Sequence, residues 1–172
     1  TEANAHPHGS SDDSVQVVVN GIIENFASLR KELEADGAVF TSETDAEVVA
    51  HLVASVFDGD LPAAVAAAES RLDGHYAFVA MTAREPGLLV AVRHECPLVV
   101  GIGEGESFIG SAVPAFLEHT RTVLDIEDGE VVTLHSGAVE LKTLAGEPVE
   151  REPYEVDWDA QTAEKGGYET FM

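Results

Sequence analysis

Asn20 and Gly21 are the first residues of this chain whose types and placement could do chemistry. They follow the β-rich run Val15-Gln16-Val17-Val18-Val19 and precede the apolar pair Ile22-Ile23. An Asn-Gly step after a strand is a turn signal, with Gly taking a positive φ, so the strand is expected to stop at Asn20. Apolar residues on both sides would hold that turn near the core. It would then aim a side-chain amide and a backbone N–H the same way, the donor pair that acyl transfer needs at a developing oxyanion. Both readings, turn and oxyanion hole, fit these residues. Asp45 also carries two: an acid in the first turn of a helix, favoured by the helix dipole, or a carboxylate that receives a substrate ammonium.

Other candidates are weaker. His6-Pro7-His8 places two histidines one residue apart in a loop, but no third ligand has suitable spacing, and no metal site is expected. His51, His75, His94, His119 and His135 form no motif. Cys96, in Arg93-His94-Glu95-Cys96-Pro97, has basic neighbours that could lower a thiol pKa. Its place between two strands suits a spectator better. Gly101-Ile102-Gly103-Glu104-Gly105 has no Lys or Ser/Thr in the Walker arrangement, and its acids would repel phosphate; it reads as a hairpin turn.

The scaffold for these residues has to be one domain, because 172 residues are enough for one good core and short for two. A net charge of −23, from 32 acidic and 9 basic side chains, argues against nucleic acid or an anionic membrane as partner. It fits a solvated acidic surface. One cysteine excludes an intrachain disulfide and suits a reducing, cytoplasmic compartment. No run approaches the ~20 apolar residues of a membrane span. The start, Thr1-Glu2-Ala3-Asn4, lacks an initiator Met and a signal-peptide pattern, and the end, Phe171-Met172, has no obvious ending, so a piece of a longer protein is expected.

Thr1 to Ser14 reads as a loop. Val15 to Val19 is a strand whose near-continuous apolar character suggests burial on both faces. A helix is expected over Glu24 to Asp36, with Phe26, Leu29 and Leu33 on one face and Gly37 as its cap. Ala38 to Phe40 reads as a short strand. Thr44 and Glu47 match a capping box that opens a second helix ending at Gly59. A third helix runs from Leu61 to Leu72, with Pro62 in its first turn and Gly74 at its end. The apolar period then changes to 2. Strands are expected at Tyr76–Met81, Leu88–Val92, Leu98–Ile102, Ser107–Ser111, Arg121–Ile126, Glu130–His135 and Ala138–Lys142, with one or two helical turns over Ala112–Leu117. Pro148 onward reads as a tail. The order is α+β, with helices covering sheets.

Taken together, five segments resemble a known family. Asn4-Ala5-His6-Pro7-His8, Val19-Asn20-Gly21-Ile22-Ile23-Glu24-Asn25, Ser42-Glu43-Thr44-Asp45-Ala46-Glu47-Val48, Leu72-Asp73-Gly74-His75-Tyr76-Ala77 and Pro97 to Glu106 are similar to the glutaminase domain of glutamine–fructose-6-phosphate aminotransferases. These are class II glutamine amidotransferases with an N-terminal nucleophile. Asp157-Trp158 through Met172 resembles the linker into the sugar-isomerase half. On this resemblance, residues 1–150 are a glutaminase-domain fragment and 151–172 a linker.

The resemblance implies a four-layer α/β/β/α sandwich, incomplete here for want of its N-terminal part. It implies hydrolysis of L-glutamine by an N-terminal Cys. The ammonia would pass to isomerase domains that convert fructose 6-phosphate to glucosamine 6-phosphate, in a homodimeric full-length protein, with no cofactor. It places the oxyanion hole at Asn20 and Gly21 and the acceptor of the glutamine α-amino group at Asp45. The cysteine's own α-amine can serve as its base, so no triad is needed. The chain departs from the family in four ways. The nucleophilic Cys and the Arg-Trp-Ala-Thr-His-Gly segment are absent, so the fragment alone is expected to be inactive. Cys96 stands where Ser is common, Val19 where His is usual, and Ala112 where Asp is common. The alternatives are the glutaminase domain of another amidotransferase, such as the phosphoribosyl type, or a non-catalytic acidic module of the same fold.

Overall fold

A computed structural model describes residues 2–135 and 137–157. In chain order the elements are β1 (His8–Gly9), β2 (Val15–Ile23), α1 (Phe26–Ala35), α2 (Glu47–Val56), α3 (Leu61–Glu69), β3 (Gly74–Thr82), β4 (Leu88–His94), β5 (Val99–Ile102), β6 (Ser107–Gly110), β7 (Thr122–Asp125), β8 (Glu130–His135), β9 (Ala138–Thr143) and β10 (Tyr154–Glu155). Two 3-10 turns, Glu2–Asn4 and Val113–Ala115, complete the described elements. The strands form two antiparallel sheets, ordered β1-β2-β3-β4-β8-β9 and β10-β7-β5-β6.

Side-chain periodicity explains the layers. On α1 the buried residues are Leu29 and Leu33, one turn apart, so a single stripe faces inward. On α2 every residue from Glu47 to Val53 is buried, as in a helix enclosed on all sides. The α3 helix starts at Asp60, whose side chain accepts the Ala63 N–H at 3.0 Å, with Pro62 in the first turn. These helices pack Leu29, Leu52, Val53 and Val65 against Val15, Val17, Ile23 and Phe78 on one face of the six-stranded sheet. Its other face meets the four-stranded sheet through Ala77, Ala91, Val132, Val100 and Leu124. Beyond that, Val113, Phe116 and Leu117 cover Val123. The order is helices, sheet, sheet and, among the described residues, a 3-10 turn where the expected sandwich has its second helical layer.

Several local expectations are corrected. Ala38–Phe40 is not a strand; the Val39 N–H is instead held by Ser11 Oγ at 2.8 Å, and the Phe40 ring lies 4.2 Å from His51. The capping box is not formed: α2 begins at Glu47, and that carboxylate serves the preceding loop instead. The third helix stops at Glu69 rather than Leu72. The stretch read as a tail from Pro148 partly joins the fold. Tyr154–Glu155 pairs with β7, and Arg151 binds the Glu130 carboxylate at 2.6 and 2.8 Å. Of the expected linker, residues 158–172 lie outside the described residues.

The largest correction concerns Asn20-Gly21. The strand does not stop there. It continues to Ile23, with Asn20 opposite Ala77, Gly21 opposite Tyr76 and Ile23 opposite Gly74. Nor is it buried on both faces. Val15, Val17, Val19 and Ile23 face the helices, while Val18 on the other face is 49% exposed. Glycine makes the continuation possible. Gly21 has φ 112°, and a Cβ there would lie 2.0 Å from the His75 carbonyl oxygen. Across the ladder Gly74 has φ 132°, and a Cβ there would lie 2.2 Å from the Ile22 carbonyl oxygen. The two backbones approach too closely for any other residue.

Gly21→Ala therefore combines left-handed strain with a steric clash, together costing about 2–6 kcal/mol. The thermal transition of this domain in the full-length protein is expected to fall steeply. An unchanged transition would contradict the close approach.

Candidate active site

The site forms at the end of β2. Alternation puts Asn20 on the face away from the helices. Its Nδ2 donates to Ser111 Oγ, just after β6, at 3.3 Å. Three residues on, the Ile23 N–H donates to Asp45 Oδ2 at 2.7 Å. Asp45 is thus fastened to the strand that carries Asn20 and Gly21, although 22 residues of chain separate it from Ile23. Among the described residues, Asp45 Oδ1 accepts no hydrogen bond and is free for another donor.

The loop that presents Asp45 is fixed from behind by Glu47, 1% exposed. Its Oε1 accepts from the Thr41 N–H (2.7 Å) and Thr41 Oγ1 (3.1 Å). Its Oε2 accepts from the Ser42 N–H (2.7 Å) and Ser42 Oγ (2.6 Å). Burial alone would raise this carboxyl's pKa, but the donors of Ser42 and Thr41 outweigh it and hold the value at about 2. The network extends outward. Ser42 Oγ lies 3.0 Å from Thr44 Oγ1, which lies 3.2 Å from His8 Nε2, and Asn4 Oδ1 accepts the Glu43 N–H at 3.2 Å. Arg30 Nη1 donates to the Ser42 carbonyl at 3.1 Å. The Asn4–His8, Val19–Asn25 and Ser42–Val48 segments thus meet in space.

His8 is buried, and burial lowers its pKa, as does the His6 charge beside it. His51, also buried, is lowered chiefly by burial, with Glu47 Oε1 at 3.5 Å from its Nε2 acting in the opposite sense. Among the described residues no group of three or more His, Cys, Asp or Glu side chains is placed to hold a metal ion. No described helix is long and apolar enough to cross a membrane.

Cys96 sits half-buried against the cluster between the sheets. The basic neighbours that could have activated it are engaged elsewhere. Arg93 binds Asp128 at 2.8 Å and the Ile126 carbonyl at 3.2 Å, and His94 stacks on Tyr76. Gly103 and Glu106 close the β5–β6 turn as expected, through the Gly103 N–H and the Glu106 carbonyl at 2.9 Å. Sequence reading missed Ser111 and Glu47. Nothing local marks Ser111. Glu47 has a faint signal, being the one acid in a helix otherwise apolar from Val48 to Val53 except for His51.

This arrangement belongs to a known class. Residues 1–118 match the family model of the glutamine amidotransferase domain, and the chain belongs to that family. The architecture is that of N-terminal-nucleophile amidotransferases. A glutamine phosphoribosylpyrophosphate amidotransferase from B. subtilis superposes with a TM-score of 0.71 at 25% identity, covering 84% of this chain and 32% of that one. A glutamine aminotransferase class-II domain protein from Silicibacter pomeroyi shares the fold at a TM-score of 0.59 and 18% identity, over 86% of this chain and 73% of that one.

Within the family, the chain is similar to the glutamine–fructose-6-phosphate aminotransferases (isomerizing) of Methanothermobacter thermautotrophicus, 48% identical over 174 residues, and Symbiobacterium thermophilum, 50% identical over 172. The alignments take in all of this chain but only 29% and 28% of those proteins.

The buried groups set the response to acid. His8 and His51 have folded pKa values below the unfolded 6.5, so protonation favours the unfolded chain and stability falls as pH drops below about 6.5. Glu47 has a folded pKa of about 2 against 4.5 unfolded, so its contribution is complete above 4.5 and is lost as pH falls toward 2. That contribution is on the order of 3 kcal/mol. Asp12, held at about 2 by Ser14 and Ser10, titrates in the same window. The free energy of unfolding should therefore decline in two stages as pH falls, and Glu47→Gln should shrink the lower stage without abolishing it. An unaltered lower stage in that variant would contradict the hydrogen-bonded carboxylate.

Proposed function

We propose that this chain is the glutamine-hydrolysing domain of an enzyme that makes glucosamine 6-phosphate from fructose 6-phosphate and glutamine. The observation that carries this reading is the bond from the Ile23 N–H to Asp45, which holds a carboxylate three residues along the strand from the Asn20 amide. Three residues of strand span about 10 Å. That is on the order of the reach of an extended glutamine whose amide oxygen and α-ammonium each sit one hydrogen bond, about 2.9 Å, from a partner.

In this reading Asp45 Oδ1 receives the α-ammonium. A thiolate attacks the amide carbon, and charge moves to the amide oxygen. The Asn20 amide has two N–H groups. One is engaged by Ser111, which fixes the amide plane, and the other points at the oxyanion beside the Gly21 N–H. The glycine backbone, already fixed by its close approach to β3, needs no rearrangement during the reaction. Cys96 is not the attacker, because its basic neighbours are engaged with other partners. The nucleophile comes from outside residues 1–172, and the ammonia passes to sugar-isomerising domains in a cytoplasmic homodimer. Identity of 44–50% to aminotransferases of this type, against 25% to the phosphoribosyl enzyme, supports the sugar-phosphate assignment.

In the full-length protein, Asn20→Ala should lower kcat for glutamine hydrolysis by about 10²–10³ with little change in KM. An effect confined to KM would reduce Asn20 to a binding contact. Cys96→Ser should leave turnover within about twofold; abolished turnover would make Cys96 the nucleophile.

A further inference from the structure

Asn20 and Gly21 lie on a strand, whereas Asp45 lies on a loop. Its usefulness depends on where residues 41–45 are held. Besides the contacts from Asn4, His8 and Arg30 described above, three sets of bonds restrain that loop. The Asp45 side chain is tied to the Ile23 N–H, and its carbonyl accepts the Val48 N–H at 3.2 Å in the first turn of α2. The chain leading into it is gathered by Glu47, which takes all four donors of Thr41 and Ser42 on its two oxygens. The side chain of Ser42 then fixes Thr44, through the Thr44 N–H at 3.3 Å and Thr44 Oγ1 at 3.0 Å.

We infer that Glu47 is a positioning residue for glutamine: its buried carboxylate sets the loop so that Asp45 meets the substrate α-ammonium. Glu47 is sealed from solvent and its hydrogen bonds run to Thr41 and Ser42, so its effect on a substrate would pass through the loop that leads to Asp45. The inference rests on the glutamine-site reading of Asp45. Only a carboxylate suits the position. A glutamine side chain would turn an NH₂ group toward one backbone N–H and one hydroxyl; the hydroxyl can rotate to accept, but the backbone N–H loses its partner while the shape is retained.

The test uses the full-length protein and two substrates, glutamine and glutaramate, which is glutamine without its α-amino group. Glu47→Gln is expected to lower kcat/KM for glutamine about tenfold, mainly through KM, and to leave glutaramate within about twofold. Equal losses on both substrates, or no loss on either, would overturn the inference, because a merely structural role does not distinguish them. Asp45→Asn is the control for the underlying reading. If it too penalises glutamine selectively, the α-ammonium site stands whatever Glu47→Gln shows. If it does not, the reading of Asp45 falls and the role of Glu47 falls with it. Should Glu47→Gln fail to fold, Thr41→Val removes only the 3.1 Å hydroxyl bond to Glu47 Oε1. Its selective loss on glutamine, about threefold, supports the inference, and equal losses or none overturn it.

Discussion

The hydrogen bond from the Ile23 N–H to Asp45 Oδ2 joins the two segments on which the proposed chemistry depends. Ile23 ends a strand whose other buried residues, Val15, Val17 and Val19, are packed beneath the helices. Asp45 stands at the entrance to α2, whose residues Glu47 to Val53 are all buried in the same layer. A charge-assisted bond of this kind is worth more than a neutral one and is directional. It ties the separation between the Asn20 amide and a carboxylate to the strand as well as to the loop that carries Asp45. The other groups are placed relative to that line.

The same loop shows how a buried charge is tolerated. An unpaired carboxylate inside a protein is expensive. At Glu47 burial pushes toward the neutral form, and four donors push back and win. The donors come from consecutive residues, Thr41 and Ser42, so one carboxylate fixes a length of chain rather than a point. An apolar side chain of similar volume would leave two backbone N–H groups without partners, which is why α2, apolar along most of its length, carries an acid in its first turn.

What the sequence discloses and what it hides separate along physical lines. The period-2 runs of β3, β4, β5 and β8 and the turn residues between them are local signals, and the strands lie close to where they are expected. Asn20-Gly21 misled because the dipeptide that makes a turn also makes a close approach. The evidence that Gly21 is needed lies in Gly74 and His75, on the neighbouring strand. The capping box at Thr44 misled for a similar reason. Glu47 had a better offer from Ser42, whose backbone N–H and hydroxyl both reach it. The Asn20–Ser111 contact spans 91 residues and has no local trace at all. Family resemblance could point to Asn20, Gly21 and Asp45 as a set, but the elements that hold them emerge only from pairing and burial.

Coverage supports the placing of the proposed site at this end of β2. The helix-facing side of β2 is sealed, so its backbone is fixed. The opposite side is less covered, with Val18 at 49%, Ile22 at 65% and neighbouring Met81 at 47% exposure. Asn20 emerges on that open side between Val18 and Ile22. A donor meant to act on a substrate must be both immobile and accessible, and those demands conflict in a fully enclosed core and in a free loop alike. A strand buried on one face and open on the other meets both. Alternation hands its odd-numbered residues to packing and leaves the even-numbered ones, Asn20 among them, for chemistry. Gly21 is the one odd residue with no side chain to bury, and its role falls to its backbone.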